Sequence, residues 1–205
     1  MEAIKIKDTI VISDYKSITS LVNKKRYLPD NYVPDDLCYL DVENVCPNDD
    51  AKKLRKEAAI SLKALFNEAL ENGLKLYACS GYRSYERQKQ IFEDFCISDG
   101  EEEANRFSAR PGSSEHQTGL CMDVTCESVD FELRSSFEDT EEGKFVLLHA
   151  HEYGFIIRYP KGKESITGYI YEPWHIRYIG RDTAMKVYQS GLTYDEYYMS
   201  NLLQK

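Results

Sequence analysis

The sequence predicts an α+β fold in which helices cover a small, mostly antiparallel sheet. Three observations carry this. A strong 3.6-residue apolar period runs through the first third of the chain. Short strands follow in the second half, at 120–125, 155–160 and 169–180, the first with clearly alternating faces. Two of those strands follow each other across a hairpin region, with no long crossover helix to make them parallel.

The elements follow in order. Residues 1–47 read as irregular chain with short strands, and the two prolines of "YLPDNYVPDDL" favour extended backbone. This segment is expected to wrap, as an N-terminal extension, over a single domain spanning 1–205. "NDDAKKLRKEAAISLKALFNEALENG" predicts a helix with Leu54, Ala58, Leu62, Leu65, Phe66 and Ala69 on its buried stripe. Asn48, Asp49 and Asp50 suit its start, and Gly73 suits its end. "LKLYACS" predicts a strand, "GYRS" a turn, and Ser84 the N-cap of a helix reaching about Phe95. "EEEANRF" predicts one or two further helical turns.

The loop "SARPGSSEHQTG" leads into the strand "LCMDVT". There Leu120, Met122 and Val124 share the core face, so Cys121, Asp123 and Thr125 look the other way, into a cleft. "EEGKFVLLHAHEYG" predicts a helix ending at Gly154. "FIIRYP" and "YIYEPWHIRYIG" predict strands joined through "KGKESITG". Two helices close the chain, the second opened by a Thr193/Glu196 capping box.

Composition narrows the function. The chain of 205 residues carries 26 Lys and Arg against 35 Asp and Glu, a net charge of −9. Such an acidic chain has no electrostatic footprint for nucleic acid or an anionic membrane surface. No apolar run approaches the length of a membrane span. The start lacks the basic, apolar and small-residue regions of a signal peptide. If Met1 is the natural start, a cytoplasmic protein is expected; if the chain is trimmed, an extracellular or membrane-anchored one. None of the six cysteines forms a C-x-x-C pair, so a Cys-rich structural zinc site is not expected. Reduced, mostly buried thiols are.

Chemistry concentrates in the histidines. His149 and His151 lie two apart on a predicted helix and do not share a face, so packing or surface roles are expected. His116 and Asp123 flank a glycine at a spacing that suits either a capped loop before a strand or two ligands of one metal. Pro173 keeps Glu172 out of the helical region. Strict strand alternation would set Glu172 and His175 on opposite faces, and a kink at the proline could bring them together. His116, Asp123 and His175 would offer the three protein groups of a catalytic zinc, with Glu172 as the carboxylate that takes a proton from water. Spacing alone leaves satisfied core histidines as the commoner alternative.

"SGYRSYERQ", "SEHQTGLCMDV" and "GFIIRYPKGKESITGYIYEPWHIRYIG" resemble the zinc D-alanyl-D-alanine carboxypeptidases of bacterial cell-wall metabolism, including the vancomycin-resistance D,D-carboxypeptidases and the related L,D-carboxypeptidases. The resemblance runs in order from about residue 30 to residue 180. It implies the fold shared by D,D-peptidases and the hedgehog domain. It implies zinc (Zn2+) at His116, Asp123 and His175, Glu172 as catalytic base, and Arg83 as the group stabilising the developing oxyanion. Ser114 and Gln88 are candidates for binding the substrate. Arg158 and Arg177 could bind substrate carboxylates or serve as cross-strand partners. Trp174 is expected to buttress the His175 loop. One departure stands out: Cys121 occupies a place where the family usually has a small residue such as alanine, and no loss of function is expected from it.

The expected function is zinc-dependent removal of the C-terminal D-alanine from peptidoglycan stem peptides or their precursors, by a monomer. L,D-carboxypeptidase action on tetrapeptide stems and D,D-dipeptidase action are close alternatives. A non-catalytic zinc-holding module has no need of Glu172 or Arg83. A phage-type endopeptidase would bring a wall-binding module that no repeat or linker here marks.

Overall fold

The computed structural model describes residues 9–202. Two short parallel strands, β1 (Ile10–Val11) and β2 (Arg26–Tyr27), are followed by the antiparallel pair β3 (Leu37–Tyr39) and β4 (Lys53–Arg55). Helix α1 spans Lys56–Glu71, strand β5 Tyr77–Ser80, helices α2 and α3 Tyr85–Asp99 and Glu101–Phe107, and strand β6 Cys121–Thr125. Helix α4 (Glu141–His149), strand β7 (Phe155–Tyr159), the short helix α5 (Glu164–Thr167) and strand β8 (Glu172–Tyr178) come next. Helices α6 (Arg181–Ser190) and α7 (Tyr194–Leu202) close the described chain. The main sheet has the order β5-β6-β8-β7 with every pair antiparallel, which is the predicted α+β architecture.

Helix α1 lays Ala58, Leu62, Leu65 and Ala69 against Met122, Val124 and Ile176 of the sheet. Each fully buried leucine there contributes roughly 1.5–3 kcal/mol. The helix ends as its glycine predicts: Gly73 takes φ +77° and the Leu74 N–H reaches back to the Ala69 carbonyl at 2.9 Å. Its start differs from the periodicity. Lys53–Arg55 form β4, paired with Leu37–Tyr39, and the helix begins only at Lys56. Leu54 is buried as predicted, but from a strand. A partner some sixteen residues upstream overrides the local helical pattern.

Ser84 caps α2, accepting from the Arg87 N–H, and Thr193 and Glu196 form the capping box of α7. Both faces of β6 are buried, because the face carrying Cys121 and Asp123 is covered by the loop bearing His116. The six cysteines are unpaired. No helix among the described residues is long and apolar enough to cross a membrane.

Candidate metal and active site

The site is assembled from three pieces of chain. The first is the turn after β5. Gly81 sits where any Cβ would stand 2.5 Å from the Lys53 carbonyl oxygen and 2.8 Å from that of Ala51, so only glycine fits. Its carbonyl accepts from His116 Nδ1 at 2.7 Å. The backbone N–H of Arg83 then donates to the His116 carbonyl at 3.1 Å. The turn and the histidine loop are thereby locked together.

The second piece is that loop. A short 3-10 turn, Glu115–Thr118, is stopped by Gly119 at φ +66°, which re-aims the chain into β6. With Nδ1 engaged by Gly81, His116 presents Nε2 inward, 3.4 Å from Asp123 Oδ2. Asp123 Oδ1 lies 2.8 Å from His175 Nδ1. One carboxylate thus spans two imidazoles, whose ring centroids are 5.1 Å apart.

The third piece is β8. Its register against β7 shifts: Ile157 faces Ile176, but Tyr159 faces Glu172, where regular pairing would place Trp174. The extra residues at Pro173 and Trp174 form the kink that brings Glu172 to the side of His175, with Oε2 3.9 Å from Nδ1. Trp174 packs against the main core and also lines the cleft.

Arg83, Ser114, His116, Asp123, Glu172 and His175 all line one cleft of about 520 Å³. A second cleft of about 610 Å³ adjoins it and shares Arg83 and Ile91. Gln88 does not line the first cleft. It is buried beneath Arg83, accepting from its guanidinium at 2.8 Å, while its own amide N–H donates to the Ala109 carbonyl at 2.6 Å. Its amide is consumed in holding Arg83, which also donates to Ser80 Oγ at 3.1 Å. The structure thus places Gln88, a candidate for binding substrate, behind Arg83 rather than in the cleft. His149 and His151 lie elsewhere, stacked on Phe145 and Tyr188.

The electrostatics suit a cation. Burial disfavours the charge of Asp123, but His116 and His175 overturn that and hold it well below the usual carboxylate range. Burial and Arg83 oppose charge on His116, yet Cys121 and Asp123 bring it up to about 9. The Cys121 thiol, raised by burial, is drawn down to about 7 by His116 and His175. Two imidazoles, an ionised carboxylate and a thiol converge in a dry place, a donor set in which a metal ion would displace the imidazole and thiol protons. The donor atoms of His116, Cys121 and His175 lie within 4.8 Å of one another. The orientation of both rings fits as well: each turns one nitrogen inward and the other to a carbonyl or carboxylate. Glu172 behaves differently. Burial pushes it up to about 7, only partly offset by His175, His116 and Arg83.

Sequence reasoning missed Glu115. It lies between two named candidates, fully buried, bound by Arg158 Nε and by an Arg177 guanidinium nitrogen at 2.8 Å each. Both arginines are fully buried and face inward, so neither is a surface partner or free to hold a substrate carboxylate. Four charged residues at positions 115, 158, 177 and 195 have no sequence spacing that would announce a cluster.

Residues 51–181 match the VanY family, described as D-alanyl-D-alanine carboxypeptidase. The chain is 48% identical over 195 residues to YodJ of Bacillus subtilis, covering 95% of this chain and 71% of that protein. It is 34% identical over 145 residues to a D-alanyl-D-alanine carboxypeptidase of Enterococcus faecalis, covering 66% of this chain and 52% of that enzyme, so it spans about half of that relative's length. Among solved structures, the LdcB LD-carboxypeptidase matches with a TM-score of 0.90 and 46% identity, over 97% of this chain and 93% of that one. A mutant of the vancomycin-resistance D,D-pentapeptidase VanY in complex with Zn(II) matches with a TM-score of 0.70 and 29% identity, over 87% and 97%.

Proposed function

The chain belongs to the VanY family of D-alanyl-D-alanine carboxypeptidases, and on that premise we propose that it is a zinc-dependent carboxypeptidase releasing the C-terminal D-alanine of peptidoglycan stem peptides or their precursors. The observation that carries this reading is the convergence of His116, Asp123, His175, Glu172 and Arg83 on one cleft. His116 through Nε2, His175 through Nδ1 and Asp123 through its carboxylate would hold the ion. Zinc, when bound, supplies Lewis acidity that makes a water nucleophilic near neutral pH.

The protein groups divide the remaining work. Glu172 takes the proton of the attacking water and returns it to the leaving amine; a carboxyl raised to about 7 is matched to both steps. Arg83 directs its guanidinium at the oxyanion that develops on the scissile carbonyl, and Gln88 and Ser80 keep it aimed. Ser114 lines the cleft beside them, where a free terminal carboxylate would sit.

Arg83→Lys is expected to cost about 3 kcal/mol of transition-state stabilisation, or ~10² in kcat, because lysine keeps the charge but loses the planar fork that Gln88 and Ser80 hold. Steady-state kinetics decide it, and a lysine variant as fast as the parent removes the oxyanion role.

Synthetic stems, with products read by mass spectrometry, test the activity itself. A pentapeptide ending in D-Ala-D-Ala is expected to lose one D-alanine, and its C-terminal amide to be cut poorly, since a site built for a carboxylate leaves its partners unpaired without one. Equal cleavage of both overturns carboxylate recognition. A second reading, L,D-carboxypeptidase action on the tetrapeptide stem, is favoured by the higher likeness to LdcB than to VanY. D-alanine release from the tetrapeptide, with the pentapeptide untouched, selects it.

A further inference from the structure

We propose that Glu115 is a positioning residue for the metal site, fixing the proton of His175 on Nε2 so that the Nδ1 lone pair faces the metal. The inference rests on the zinc reading above.

Glu115 Oε2 and His175 Nε2 are among the buried polar atoms without a hydrogen-bond partner of ordinary length. They face each other at 3.5 Å. The other ring nitrogen of His175 lies 2.8 Å from Asp123 Oδ1. A neutral imidazole carries one N–H. Both nitrogens face a carboxylate, so once a metal takes the Nδ1 side the single N–H of the neutral ring belongs on Nε2, where Glu115 Oε2 is the acceptor at hand. The Gly81 carbonyl does the same for His116 from the opposite ring nitrogen. The two imidazoles are thus oriented by two unlike acceptors, one backbone and one charged.

The surroundings exist to keep Glu115 in place. Its other oxygen accepts from Arg158 and Arg177. Arg158 also donates to Asp195 at 2.6 Å and to the Val22 carbonyl at 3.4 Å. Arg177 donates to the Ser20 carbonyl at 2.9 Å and the Ile18 carbonyl at 3.3 Å. Asn23 donates to the remaining Asp195 oxygen at 2.8 Å. Two guanidiniums and two carboxylates balance in a dry interior, where any one left alone would be an uncompensated buried charge. Residues 18–23 and helix α7 thereby anchor the two arginines that hold Glu115.

The test is zinc affinity, measured on the full chain by competition with a chelator. In Glu115→Gln the amide oxygen accepts from the arginines, so the amide nitrogen is turned toward His175 Nε2. Donor then faces donor, and His175 moves its proton to Nδ1, the nitrogen the metal needs. Zinc affinity is expected to fall about 10–100-fold, the range for loss of an outer partner of a ligating histidine. Asp195→Asn weakens the same ion network one arginine away from His175. It is expected to lower thermal stability as Glu115→Gln does and to leave zinc affinity at the parent value. Equal zinc affinity in Glu115→Gln and the parent overturns the inference, as does an equal loss in Asp195→Asn, which would mark the network as structural only. A parent chain that binds no zinc overturns the functional reading and this inference with it. Nitrogen NMR of the zinc-loaded parent stands free of any folding defect in a variant: a proton on Nε2 of His175 is expected, and its absence refutes the role.

Discussion

Glu172→Gln is expected to lower kcat by roughly 10²–10⁴, the usual contribution of a general base, while zinc content stays at the parent value. The geometry separates base from ligand. Glu172 Oε2 stands 3.9 Å from His175 Nδ1, farther than either Asp123 oxygen from its imidazole, and it lines the cleft. The pH dependence follows from its environment. Burial pushes its carboxyl up to about 7, so the proton leaves only as the pH climbs through that region. The bound cation pulls this downward, so the acidic limb of kcat/KM in the parent is expected at or below pH 7, and the Gln variant loses it. Stability moves the other way. A carboxyl raised on folding stabilises at low pH and loses that contribution between its unfolded value and about 7. Zinc-free Glu172→Gln should therefore melt above the zinc-free parent at pH 8, where the parent carries a buried charge. Near-parent kcat would remove Glu172 from the mechanism.

The fold was legible wherever the determinants are local. The α1 stripe, the Ser84 cap, the Thr193/Glu196 box and the alternation of β6 are set by residues within a few positions of each other. The start of α1 was not, because β3 pairs with Lys53–Arg55 from a distance. In the site, sequence named His116, Asp123, Glu172, His175 and Arg83, and one cleft gathers them. It did not show how Glu172 joins His175, because a register shift is a property of two strands and β7 supplies half of it. The Gln88–Arg83 bond was not legible, since only the tertiary structure puts Arg83 above that glutamine. Glu115 was invisible, its partners lying 43, 62 and, through Arg158, 80 positions away.

The largest expected loss comes from the metal donors, and here the site offers two third ligands. Cys121 Sγ lies within 4.8 Å of the donor nitrogens of His116 and His175. The Asp123 oxygens are nearer, at 2.8 Å and 3.4 Å, with one oxygen to each ring. A carboxylate also donates less charge than a thiolate, which leaves zinc a stronger Lewis acid. His116→Ala and Asp123→Ala are therefore expected to purify without zinc. Their turnover should fall by on the order of 10³ or more, since the ion contributes several kcal/mol to the transition state at about 1.4 kcal/mol per tenfold. Cys121→Ala should keep one zinc per chain and the parent rate. Cobalt substitution gives a second readout: a sulfur-to-metal band in the near ultraviolet is expected to be absent from the parent. A parent that shows the band and loses both band and metal in Cys121→Ala, with Asp123→Ala still loaded, would move the third ligand from the carboxylate to the thiol.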